Sequence, residues 1–222
     1  MSFNIAAYID HTILKPSATA ADIEKLCAEA AAHRFAAVCV PPYYVRLAKR
    51  LLEGTPVKTA TVIGFPFGYS SLNAKHAEIT QAIADGADEL DMVHNIAALK
   101  NGDWLVLKEE IKTCTEMIHR AGKHIKVIIE SGILSDEEII KCCETYAPYN
   151  IDFMKTSTGY AEAGASVHAV RLMRSHLPAH IAIKASGGIR TFAFAKELAD
   201  AGATRIGASA GVQITAEAQA EV

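Results

Sequence analysis

Long apolar runs are missing from these 222 residues: nowhere do 18 uncharged apolar residues follow one another. The N-terminal MSFNIAAYIDHTILKP also lacks a basic stretch leading into an apolar core. The chain is therefore expected neither to span a membrane nor to carry a visible export signal. A positive field is missing too. Lys+Arg 22 against Asp+Glu 25 leaves a formal net charge of -3, so nothing global holds a nucleic-acid backbone or an anionic lipid surface, and any anion must be met locally. The five cysteines (Cys27, Cys39, Cys114, Cys142, Cys143) are odd in number and have no C-x-x-C spacing. That argues against a disulfide framework and for a reducing cytoplasm. None of the nine histidines falls in an H-E-x-x-H or similar arrangement, so a metal-dependent mechanism is disfavoured and no metal is expected. No linker or change of composition interrupts the chain, which reads as one domain over residues 1–222.

Within that domain, short β-branched runs recur at Tyr8 to Asp10, Ala36 to Val40, Lys58 to Gly64, Glu89 to Val93, Lys126 to Glu130, Asp152 to Thr156, Ile181 to Ala185 and Arg205 to Ala208. They read as strands. Amphipathic segments lie between them, at Ala20 to Ala32, Ser71 to Ala84, Trp104 to Ala121, Asp136 to Tyr146, Ser166 to His176 and Phe192 to Ala201. Thr19 and the Ser135/Glu138 pair supply helix starts, while Gly86, Gly122 and Gly202 stand where helices stop. Roughly eight such units in a chain of this size predict an α/β fold, a single-domain TIM (β/α)8 barrel. A doubly wound open sheet is the alternative.

In a barrel the carboxyl ends of the strands face the reaction chamber. Strand six ends in FMKTSTGY and strand seven in IAIKASGGIR, so Lys155 and Lys184 each close an apolar run ahead of a small-residue turn. Lysine is rarely buried without a reason. A nucleophilic lysine requires its pKa to fall by roughly three units, or ~4 kcal/mol. A second ammonium about 4 Å away supplies ~4 kcal/mol at an effective dielectric near 20, with desolvation adding to it. The spacing thus predicts Lys155 as an amine nucleophile that Lys184 activates by charge.

Strand four, ELDMV, turns Asp91 toward the chamber with Glu89 and Val93; it can shuttle a proton beside an iminium or simply pair with Lys155 or Lys126. Lys126 shares inward spacing with Glu130 and reads as a third chamber charge or an ion-pair partner. Gly187, Gly188, Gly207 and Ser209 follow the last two strands, where barrels often bind phosphate through bare backbone N–H groups, and Arg190 adds charge. His11 and His94 lie near strand ends, within reach of the pocket on this reading. Cys39 reads as a small buried filler.

At these residues the chain resembles the deoxyribose-phosphate aldolase family. YIDHTILKP, VCVPP, VIGFPFG, ELDMVHN, KVIIES, FMKTSTGY, IKASGGIR and RIGAS follow the family pattern in order from Tyr8 to Ser209. The resemblance implies a TIM barrel that reversibly splits 2-deoxy-D-ribose 5-phosphate into D-glyceraldehyde 3-phosphate and acetaldehyde without metal or organic cofactor. It implies Lys155 as the Schiff-base residue, with Asp91 and Lys184 in proton transfer and activation. It also implies phosphate contacts at Gly159, Gly187, Gly188, Arg190, Gly207 and Ser209, with Thr12 and Thr158 near the sugar. Two features depart from some members: Ala210 stands where they have a second serine, and the ending TAEAQAEV carries no tyrosine. The expected partners are small phosphosugar and aldehyde substrates, with self-association into a homo-oligomer allowed and no nucleic acid or membrane. The rival readings are a transaldolase or another Schiff-base barrel, a phosphosugar isomerase with Glu130 or Asp91 as base, and a non-catalytic phosphate-binding barrel.

Overall fold

The β-branched runs become eight strands: β1 (Ile9–Thr12), β2 (Ala37–Val40), β3 (Lys58–Ile63), β4 (Glu89–Val93), β5 (His124–Ile128), β6 (Phe153–Lys155), β7 (Ala182–Ser186) and β8 (Arg205–Ala208). In the computed structural model, which describes residues 4–220, all eight pair in parallel in sequence order, and β1 also pairs with β8. That last pairing closes the barrel and removes the open-sheet alternative. Residues 1–3 and 221–222, the two ends of the expected domain, lie outside the described residues.

Period-2 alternation divides each strand between two cores. Residues such as Ile63, Leu90, Met92, Ile125, Val127, Met154, Ile183 and Ile206 pack outward against the helices in one large buried cluster. Each such side chain removed from water contributes roughly 1.5–3 kcal/mol. The helices are α1 (Ala20–His33), α2 (Val45–Leu51), α3 (Leu72–Ala84), α4 (Ile96–Lys100), α5 (Trp104–Arg120), α6 (Asp136–Tyr146), α7 (Val167–His176), α8 (Phe192–Asp200) and α9 (Gly211–Ala220). Thr19 with Asp22 and Ser135 with Glu138 form capping boxes at α1 and α6. Gly86, Gly122 and Gly202 take φ of +99, +68 and +118, as helix stops require. Among the described residues no helix is long and apolar enough to cross a membrane.

Three helices were not expected. α2 and α4 are five to seven residues long, too short for a period of 3.6 to declare itself, and the Ala-rich α9 offers little contrast between its faces. Strand β5 begins at His124 and stops at Ile128 rather than running from Lys126 to Glu130. Glu130 takes a left-handed φ of 55, which no strand tolerates.

Candidate active site

Register sets the site. Lys155 on β6 stands opposite Lys184 on β7, and Asp91 on β4 stands opposite Lys126 on β5. All four side chains are buried. Asp91 Oδ2 accepts from Lys155 Nζ at 2.8 Å and from Lys184 Nζ at 2.7 Å, while its Oδ1 accepts from Lys126 Nζ at 2.7 Å. Asp91 is thus the shared acceptor of all three lysines, the arrangement that its ion-pair reading expects. Lys126 also bonds Glu89 at 2.6 Å. Lys184 donates to Asp10 Oδ2 at 2.5 Å, and Arg205 joins Asp10 at 2.7 Å to Glu89 at 3.0 Å. Asp10 and Arg205 escaped the sequence reading. An aspartate inside the apolar start of β1 was the available signal, but its partners lie 174 and 195 residues away.

Among the described residues this interior cluster holds three carboxylates (Asp10, Glu89, Asp91) and four cations (Lys126, Lys155, Lys184, Arg205). The cations therefore outnumber the carboxylates by one, which in a low-dielectric interior disfavours a full set of charged lysines. Of the three lysines, Lys155 is the one whose pKa is lowered. Its burial lowers its pKa most, Asp91 opposes that, and Lys184 lowers it further. The sequence reading gave Lys184 the main push, with desolvation adding to it; desolvation is the larger cause, and a carboxylate stands between the two lysines. For Lys184, burial is outweighed by Asp10 and Asp91, so its pKa rises and it stays an ammonium. Lys126 is raised likewise, against its own desolvation, by Asp91 and Glu89. Burial works against Asp91, yet Lys126, Lys155 and Lys184 together hold it well below the usual carboxylate range.

The K-T-S-T-G turn locks the two lysine strands together. Thr156 N donates to Lys184 O at 3.0 Å, Ser186 N donates to Thr156 Oγ1 at 3.1 Å, and Ser186 Oγ donates to Ser157 O at 2.6 Å. Thr158 is fixed by Glu130, which accepts from its backbone N–H at 3.2 Å and from its hydroxyl. A carboxylate engaged in this way is a positioning group, and the isomerase reading with Glu130 as base loses its support.

Above this cluster opens a cleft of ≈ 310 Å³ lined by Thr12, Lys155, Thr158, Gly159, Gly187, Gly188, Arg190, Gly207 and Ser209. Every binding residue expected from sequence therefore lines it together with Lys155, while Asp91 and Lys184 are buried and do not line it. Leu14, Lys15, Tyr160 and Ser186 also line it and were not foreseen. Gly187 and Gly188 take φ of +92 and +78, a conformation open to glycine, which lets backbone approach a bound anion. Gly207 is glycine for space: a Cβ there would lie 2.9 Å from Ser186 Cβ and 3.0 Å from Lys184 Cε.

Two histidines and Ala210 fall elsewhere. His11 points away from the chamber, bonded to Glu29 at 2.8 Å, because its neighbour Asp10 takes the inward position. His94 is buried against the Tyr146 hydroxyl at 2.8 Å, and burial holds its pKa down to about 3. Ala210 lines an outer groove between α1 and α9, not the cleft. Cys39 is a buried filler, as expected, with its thiol pKa raised by burial.

Residues 4–216 match the model of the DeoC/LacD family aldolases. The deoxyribose-phosphate aldolase of Caldicellulosiruptor saccharolyticus is 50% identical over 214 residues, 96% of this chain and 97% of its own. That of Thermococcus gammatolerans is 50% identical over 216 residues, 96% of each chain. The tetrameric deoxyribose phosphate aldolase structure from Aeropyrum pernix superposes with a TM-score of 0.91 at 30% identity, covering 98% of this chain and 92% of that one.

Proposed function

We infer, for a chain that belongs to the DeoC/LacD family of aldolases, that Lys155 is the amine through which it works. The reaction is the reversible cleavage of 2-deoxy-D-ribose 5-phosphate to D-glyceraldehyde 3-phosphate and acetaldehyde, a class I, Schiff-base aldolase step in the breakdown of deoxyribose phosphate. One observation carries the assignment. Of the three lysines inside the barrel, Lys155 is the one that both lines the cleft and has its ammonium destabilised.

Neutral Lys155 adds to the C1 aldehyde, and the carbinolamine loses water to give an iminium. Lys184, held charged, donates the proton that carries that oxygen away, and the shared Asp91 oxygen relays protons between the two nitrogens. Loss of the proton from the 3-hydroxyl, taken up by Asp91 through water, lets the C2–C3 bond break. Its electron pair moves into the iminium, leaving an enamine and releasing D-glyceraldehyde 3-phosphate. Protonation at C2 and hydrolysis then free acetaldehyde and restore Lys155. We assign the phosphate to Gly187, Gly188, Arg190, Gly207 and Ser209, with Gly159 beside them and Thr12 and Thr158 along the sugar. The support is their common place on the cleft and the α9 N-terminus that follows Ser209. Phosphate anchoring orients the aldehyde, so a dephosphorylated sugar loses turnover as well as binding.

Five buried, unpaired cysteines support a cytoplasmic setting. Self-association rests on analogy with the Aeropyrum tetramer, and sedimentation velocity reads it. The test of the chemistry is borohydride reduction in the presence of 2-deoxyribose 5-phosphate, followed by peptide mass mapping. The adduct is expected on Lys155 and is abolished by Lys155→Arg; label on any other residue overturns the assignment.

A further inference from the structure

The lining of the cleft carries charge of one sign. Lys15, Lys155 and Arg190 are its charged residues, and no carboxylate joins them. Lys155 is committed to the carbonyl end of the sugar. At the other end a phosphate monoester brings about two negative charges near neutral pH, and Arg190 answers only one of them. Lys15 stands on the loop between β1 and α1. It lines both the cleft and the outer groove beside α1 and α9, and so does Ser209. The two residues therefore share the border between these hollows, which puts an ammonium beside the β8 end of the phosphate site.

The loop fixes its backbone and leaves this side chain loose. Ile13 N donates to Cys39 O at 3.0 Å, and the Tyr160 hydroxyl donates to Leu14 O at 2.8 Å. Ala18 N donates to Lys15 O at 3.1 Å, and the Tyr44 hydroxyl donates to Ala18 O at 2.7 Å. The Lys15 ammonium, by contrast, lies 3.7 Å from Asp22 Oδ2, and the lysine side chain is 55% exposed. Asp22 already accepts from the Thr19 N–H and hydroxyl, each at 2.9 Å, in the capping box of α1. An exposed pair at that distance holds weakly, so an anion of higher charge can draw the ammonium away without leaving Asp22 unsatisfied.

We propose that Lys15 swings from Asp22 to the bound substrate and supplies the second cation for its phosphate alongside Arg190, which makes it a determinant of specificity for phosphorylated over neutral sugars. This rests on the placing of the phosphate among Gly187, Gly188, Arg190, Gly207 and Ser209. The flexible four-carbon stem of lysine allows the movement, and its compact charge needs no fixed fork geometry to meet a phosphate oxygen. A hydrogen bond between two charged groups is also roughly twice as strong as a neutral one.

The test measures kcat/KM for 2-deoxyribose 5-phosphate relative to unphosphorylated 2-deoxyribose in wild type, Lys15→Met and Lys15→Arg. Lys15→Met is expected to lower this ratio about tenfold, the loss of one charge-assisted contact, and to weaken competitive inhibition by inorganic phosphate by a similar factor. Lys15→Arg keeps the charge and should stay near wild type in both. Should Lys15→Met not fold, Lys15→Gln reads the same ratio with the same expected fall. A loss shared equally by the two sugars leaves the ratio unchanged and overturns the proposal, tying Lys15 to Asp22 and the start of α1 instead. Equal falls in Lys15→Met and Lys15→Arg overturn it as well, since the effect would then be one of shape and not of charge. A wild type that neither prefers the phosphorylated sugar nor is inhibited by phosphate refutes the phosphate assignment itself, and the role of Lys15 with it.

Discussion

Lys155 and Lys184 are register partners on adjacent strands, and both donate to the same oxygen of Asp91, at 2.8 and 2.7 Å. Their nitrogens are therefore no more than two hydrogen bonds apart, with a carboxylate between them. The shared oxygen restrains Lys155 toward the charged form while Lys184 and burial pull the other way. The amine's protonation state is a balance, and each neighbour can be removed to see which way it pulls.

Removing Lys184 takes away a push. In Lys184→Met the Lys155 pKa is expected to rise, because the repelling ammonium is gone and the bond to Asp91 remains. The proposed mechanism requires neutral Lys155, so the acid limb of kcat/KM should move to higher pH, with the plateau lowered by ~10²–10⁴ for the loss of the proposed proton donor. A pH profile with 2-deoxyribose 5-phosphate checks both. An acid limb at the wild-type pH would mean that burial acts without help from Lys184.

Removing Asp91 takes away an attraction, and the sign reverses. In Asp91→Asn the Lys155 pKa should fall, so reductive trapping of Lys155 by acetaldehyde and borohydride should extend to lower pH than in wild type. Stability should suffer at the same time. Breaking a buried ion pair costs about 3–5 kcal/mol when one partner is left behind, and here Lys155 loses its carboxylate partner while Lys126 keeps Glu89 and Lys184 keeps Asp10. Urea unfolding at neutral pH measures the loss. Opposite shifts from two neighbours of one amine cannot come from a general loosening of the barrel.

These pairs also mark how far the sequence could be read. A lysine closing an apolar strand is conspicuous in one dimension, so Lys155 and Lys184 were legible, as was Asp91 between Leu90 and Met92. What a charge does depends on partners brought in by strand order and register. Nothing near Asp10 announces Lys184, and nothing near Glu89 announces Arg205. The relative weight of burial and repulsion at Lys155 was hidden for the same reason, since desolvation is a property of the closed barrel. Alternation along strands revealed the eightfold plan, whereas the end of β5 turned on the left-handed backbone of Glu130, where KVIIES reads as unbroken strand.

Two glycines of the proposed phosphate site should fail differently. Gly207→Ala drives a methyl toward Lys184 Cε and Ser186 Cβ, displacing the proposed proton donor. A misplacement of about 1 Å can lower turnover ~100-fold, so kcat should fall more than KM rises. A Cβ on Gly188 meets nothing within 4 Å, and only its φ of +78 is strained. Gly188→Ala should therefore lose roughly 1–2 kcal/mol of stability and raise KM for the phosphorylated sugar while largely sparing kcat. Steady-state kinetics on both variants decides. A kcat effect confined to Gly188→Ala would contradict the assignment of Lys184.

Ala210 tests the boundary of the phosphate site. Its carbonyl accepts from Ile214 N at 2.9 Å, which makes it the N-cap of α9, and its side chain lines the outer groove with His11 and Val212. A serine hydroxyl there would lie nearest the unpaired N–H groups of the first helical turn. Ala210→Ser is thus expected to stabilise the fold by ~1 kcal/mol, the usual gain from a hydroxyl N-cap over alanine, and to leave KM for 2-deoxyribose 5-phosphate unchanged. Urea unfolding and steady-state kinetics read the two effects separately. A severalfold fall in KM without any gain in stability would put this position in the phosphate site and move the edge of the cleft one residue further along the chain.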